Sequence, residues 1–140
     1  MKMISKLSLA TVAAAFALTL AARADDANTT TNSLPPASTK TGVTYATDIK
    51  PIFDTACLNC HDSQKPKQAA KLSLDTLAGV LKGDRDGTVV TPGDSAHSDL
   101  VLSVAHVGDP DSYMPRGKTA KKLTDDQIGL IRAWIDQGAK

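Results

Sequence analysis

Cys57-Leu58-Asn59-Cys60-His61 sets two thiols beside an imidazole, and these are the only cysteines in the chain. Residues three and four apart on a helix share a face, so a helical motif aims Cys57, Cys60 and His61 the same way. Two thiols at this spacing can form thioether bonds to the two vinyl groups of a haem while the adjoining His reaches the iron. Cys-x-x-Cys-His is the signature of c-type haem attachment. Other chemistries share part of the pattern. A thioredoxin-like dithiol expects a βαβ context, which the sequence does not show. A mononuclear zinc site would have to recruit His97 or His106, since there is no second cysteine pair. A disulfide across two intervening residues closes a loop too small to stabilise much. The His directly after the second Cys favours haem.

Haem iron has a second axial position. Met114 is the strongest candidate, as the only Met beyond residue 24, in a loop and followed by Pro115. A thioether ligand favours ferrous iron and raises the potential. His97 and His106 are the other donors. His106 ends a helical pattern, where a His commonly just complements the helix dipole. An open position would suit gas sensing or peroxide chemistry.

The elements that must carry these residues follow from periodicity. Ile49, Ile52, Phe53 and Ala56 form an apolar stripe leading into the motif, with Asp48 as a cap and Pro51 in the first turn. Asp75 is placed to cap a short helix bearing Leu77, Val80 and Leu81, stopped by Gly83. Asp94 or Ser95 starts a third, presenting Leu100, Val101 and Val104 and broken at Gly108-Asp109-Pro110. A loop over 109–122 carries Met114. Thr124 and Gln127 form a capping box for the last helix, whose face is Ile128, Ile131, Trp134 and Ile135 and whose end is Gly138. The expected fold class is a small all-α domain over 43–140. Its few aromatics are Tyr45, Phe53, Tyr113 and Trp134, so a buried haem would supply missing apolar bulk.

Residues 1–24 read as a secretory signal peptide. Lys2 and Lys6 precede an apolar run, and Ala22-Arg23-Ala24 is a cleavage pattern. The run is shorter than the ~20 residues of a membrane-spanning helix, and no other segment is apolar enough to cross a bilayer. Residues 25–42, rich in Thr, Asn, Ser and Pro, read as a flexible linker. Beyond the leader stand 13 Lys and Arg against 15 Asp. That near-neutral balance argues against nucleic acid and against strong electrostatic membrane contact.

From Asp48 to Lys140 the chain resembles the planctomycete-type cytochrome c domain, a class I-like monohaem cytochrome. The resemblance is carried by Ile52-Phe53 ahead of the Cys57–His61 motif, Leu72-Ser73-Leu74-Asp75, Gly83, Pro92-Gly93-Asp94 with Ser98 and Leu100, Met114-Pro115, Leu123 to Ile128 and Trp134-Ile135-Asp136-Gln137-Gly138-Ala139. It implies haem c on Cys57 and Cys60, with His61 proximal and Met114 distal. It also implies that the first and last helices cross near Phe53 and Trp134. Asp62 stands where the family often has Gly, and the large domains that often accompany this one do not occur in the sequence. The expected function is periplasmic single-electron transfer between redox partner proteins, as a monomer or a complex subunit, with no catalytic side chain. The alternatives are a haem enzyme or sensor with a labile distal ligand, for which His106 is the candidate helper, and a dedicated subunit of a periplasmic oxidoreductase. Lys65, Lys67 and Lys71, with Arg116, Lys118, Lys121 and Lys122, could form a basic rim around the haem edge.

Overall fold

The structure is a computed structural model that describes residues 33–65, 69–118 and 120–140. The signal-peptide reading of 1–24 and the first part of the linker lie outside these residues. A π-helical turn, Tyr45–Ile49, runs directly into α1, Lys50–Ala56. A 3-10 turn at Ala69–Lys71 follows, then α2, Leu77–Lys82, and α3, Asp99–Ala105. A second 3-10 turn, Pro110–Ser112, precedes α4, Asp125–Asp136. No strand occurs among the described residues, and the domain is all-α as its periodicity requires. No described helix is long and apolar enough to cross a membrane. Helices this short do not persist alone in water, so packing holds them.

α4 is the organising element. Its capping box is complete: Gln127 N–H donates to the Thr124 hydroxyl at 3.2 Å, and Thr124 N–H donates to Gln127 Oε1 at 2.9 Å. The expected face is fully buried, with Ile128, Ile131, Trp134 and Ile135 all at 0% exposure. Tyr45 stands between the beginning and the end of the domain. Its ring lies 6.1 Å from Trp134 and 6.3 Å from Phe53, and its hydroxyl donates to the Leu74 carbonyl at 2.9 Å. Burial, with the Asp75 and Asp54 charges adding to it, pushes this phenol up to about 12. Tyr45 N–H and Trp134 Nε1–H both donate to the carbonyl oxygen of Lys140, at 3.0 and 2.9 Å. The Pro92-Gly93-Asp94 turn is seated on the end of α4. Gly93 N–H donates to Ile135 O at 2.8 Å, and Ser95 donates its N–H and hydroxyl to the Asp136 carboxylate at 2.9 and 3.0 Å.

The stripes on α1 and α3 are buried as expected, but three caps differ. Thr44, not Asp48, caps the first helical run, because the π-helical turn begins four residues earlier than the stripe suggests. Asp48 instead accepts from Thr44 N–H at 2.9 Å and pairs with Lys40, which holds its carboxyl down at about 2. Thr76 caps α2, while Asp75 accepts from the Ser63 hydroxyl at 2.6 Å. Ser98 is the N-cap residue of α3, and Asp94 is taken by His97 Nδ1 at 2.8 Å. Leu81, assigned to the α2 face, is 38% exposed.

The described part of the expected linker, residues 33–42, lies along α4. Ser38 N–H donates to Gly129 O at 2.9 Å, Arg132 Nη1 donates to Pro35 O, and Gln137 Nε2 donates to Lys40 O at 2.8 Å. Pro35-Pro36 restricts the backbone beforehand, which lowers the entropy lost on docking. Gly129 permits the approach: a Cβ there would meet the Pro36 carbonyl oxygen at 2.7 Å. A glycine inside a helix sacrifices roughly 1 kcal/mol relative to alanine, and here close backbone contact accounts for it.

Candidate haem-attachment site

The motif leaves α1 rather than continuing it. Cys57 is the C-cap, its N–H donating to Phe53 O, and Leu58 N–H reaches the same carbonyl at 3.1 Å. A tight turn follows: Cys60 N–H and His61 N–H both donate to Cys57 O, at 3.1 and 3.0 Å. The bond from His61 back to Cys57 spans four residues, as in a single helical turn. The motif therefore keeps helical spacing without being part of a helix. Asp62 accepts from Gln64 N–H at 2.9 Å through its side chain, an Asx turn that sends the chain back. Ala69 N–H then donates to Cys60 O at 3.0 Å, and Leu74 N–H to His61 O at 2.8 Å. Between them Ala70 and Lys71 both take left-handed backbone, at φ 52° and 59°. Such strain in non-glycine residues gathers at functional sites.

His61 is 8% exposed. Burial lowers its pKa, with backbone groups of Leu72 and Ala69 pulling weakly the other way. The ring is thus neutral near pH 7, the form that binds metals. Its Nδ1 is a buried side-chain nitrogen with no hydrogen-bond partner. A buried polar atom left so requires an explanation, and an iron-bound imidazole held in a haem crevice is one. Cys57 and Cys60 are free thiols, the first half-buried and the second exposed. Burial pushes the Cys57 thiol up to about 11. A reactive thiol needs the opposite shift, so Cys57 is poorly set for redox exchange. Among the described residues no three of His, Cys, Asp or Glu converge as a metal-binding group. His97 and His106 therefore do not join the cysteines in a zinc site.

Met114 is half-buried and packs against the core. Its N–H donates to Ser103 O at 3.0 Å, and its carbonyl accepts from His106 Nε2 at 2.9 Å. His97 is spent elsewhere: its side chain is 82% exposed and paired with Asp94. A His at a helix end commonly reads as a surface residue complementing the dipole, but His106 is not exposed. It is half-buried, and its ring stacks on Tyr113 at 4.7 Å with 5° between planes. The signal was a His at a helix end followed by Gly108-Asp109-Pro110, a turn able to bring Met114 back to it. The residues thus suit a covalently held haem: two free thiols, a neutral buried imidazole whose Nδ1 has no partner, and a thioether on a loop packed against the core.

Residues 57–116 match the family model described as Planctomycete cytochrome C. No curated protein matches. Among solved structures, Kuenenia stuttgartiensis hydrazine synthase is similar, with 27% identity and a TM-score of 0.47. That match covers 69% of this chain and 16% of the other. Residues 57–116 are thus similar to a planctomycete cytochrome c domain, a family that implies covalently bound haem c.

Proposed function

We propose that this domain is a monohaem electron carrier of the periplasm, with haem c joined to Cys57 and Cys60, His61 as proximal ligand and Met114 as distal ligand. The observation that carries the reading is the buried, neutral imidazole of His61, its Nδ1 without a hydrogen-bond partner, next to two free thiols. The haem would supply the one-electron couple; the protein supplies attachment, two axial ligands and a low-polarity surround that sets the potential. No side chain has to act as acid, base or nucleophile. The signal-peptide pattern supports export, where covalent haem is assembled. The haem enzyme or sensor reading needs a free helper beside a labile distal position. His106, its candidate, is engaged with the Met114 carbonyl.

The test is a pair of spectra, oxidised and reduced, on protein made with haem c maturation, repeated after acid–acetone extraction. Pigment that stays with the chain and a weak far-red ferric band from Met–iron ligation are expected. Met114→Ala should abolish that band, yield a high-spin form that binds carbon monoxide when reduced, and lower the potential. Its cost in stability should be about 1–2 kcal/mol, below the ~2–5 kcal/mol of a fully buried methionine. A parent spectrum already high-spin would move the assignment toward the enzyme or sensor.

Partners would be redox proteins met through small, transient interfaces. Lys65, Lys71, Arg116, Lys118, Lys121 and Lys122 are all exposed, and Lys67 lies outside the described residues. These residues favour an acidic docking face on the partner. Electron-transfer rates to such a partner should fall as salt rises from about 10 mM toward 150 mM, as the Debye length shrinks. A rate indifferent to salt would remove the basic rim from the account.

A further inference from the structure

We propose that His106 is a positioning residue for the distal ligand, holding the Met114 backbone so that the thioether is presented in one place. The proposal rests on Met114 as that ligand. Three independent features meet at His106. It closes α3 in left-handed backbone, φ 58° and ψ 46°, a conformation that glycine takes freely and a residue with a Cβ disfavours. Its Nε2 lies 2.9 Å from the Met114 carbonyl oxygen. That oxygen can only accept, so Nε2 carries the proton. The ring also stacks flat on Tyr113, whose hydroxyl donates to Gly108 O at 3.0 Å and so braces the intervening loop.

The consequence is geometric. Met114 N–H is held by Ser103 O and Met114 C=O by His106, so both backbone polar groups of this residue are tied to the last turn of α3. Only side-chain rotation is left to it. A glycine at position 106 would close the helix with less strain but would lose the second tie. The side chain explains why a strained position carries His.

The experiment compares H106G, H106N and H106Q with the parent as mature haem proteins. The readouts are the far-red ferric band and the affinity of ferric protein for added imidazole, which must displace the thioether. Glycine and asparagine both tolerate the left-handed backbone but lack the ring and its reach. Glutamine offers an N–H of comparable reach to the same carbonyl. H106G and H106N should bind imidazole roughly three- to tenfold more tightly, the worth of one hydrogen bond, with H106Q within about twofold of the parent. If H106G does not fold, H106N carries the same comparison. A purely structural role would lower unfolding midpoints and leave imidazole affinity unchanged, which overturns the proposal while Met114 stays the ligand. A parent without the far-red band would overturn both assignments together.

Discussion

Changing Cys57 and Cys60 together to alanine is expected to remove all covalently held pigment from protein made under haem c maturation. The two thiols are the chain's only sites for thioether bonds. Haem bound through His61 alone should leave on acid–acetone extraction, whereas a single variant, C57A or C60A, keeps one thioether and stays coloured. The effect should extend to folding. The folded unit is small, and most of its helices are two turns or less. Helices this short depend on packing, and a haem tethered at two thiols would add both apolar contact and a cross-link. The double variant should therefore lose most of its far-UV helical signal at a temperature where the parent is intact. Pigment that survives denaturation in the double variant would refute attachment at this motif.

Trp134→Ala is expected to remove about 3–5 kcal/mol, the range for deleting a buried large aromatic. Total stability for a domain of this kind is only ~5–15 kcal/mol. The ring is 0% exposed and packs against Tyr45 at 6.1 Å. Its loss opens a cavity where the beginning and the end of the domain meet. Trp134→Phe should cost less, keeping much of the apolar volume but losing the Nε1 bond to Lys140 O, worth about 1 kcal/mol. Urea midpoints of the three proteins, read with the haem bound, check the ranking. Equal midpoints for W134A and W134F would show that packing here matters less than the hydrogen bond.

α4 was legible because its information is local: a capping box, a 3.6-residue stripe and a terminal glycine lie within fifteen or so residues of one another. The attachment motif was legible because five consecutive residues carry its chemistry. The caps at Asp48, Asp75 and Asp94 were not. Each aspartate has a competing partner, Lys40, Ser63 or His97, and each competition is settled by where the chain folds rather than by helix spacing. The hold on Met114 depends on a bond from His106 across eight residues of loop, which has no periodicity to read. Residues 33–42 look like a linker because nothing in them is amphipathic. They bind through backbone carbonyls and amides, which every sequence possesses, to a helix whose Gly129 leaves room for them.

That docked segment bears on the order in which the protein is made. Arg132 to Pro35 and Gln137 to Lys40 are each separated by 97 residues, so the first described residues meet the last helix only after the whole domain has been synthesised. Contacts of such separation form late, after their loop-closure entropy has been met. Until then the N-terminal segment has no helix to dock on. In the folded domain the Cys57 sulfur is half-buried and its thiol is pushed up to about 11. Docking of the N-terminal segment on α4 is therefore a late step of folding, and the Cys57–His61 motif has been synthesised well before it.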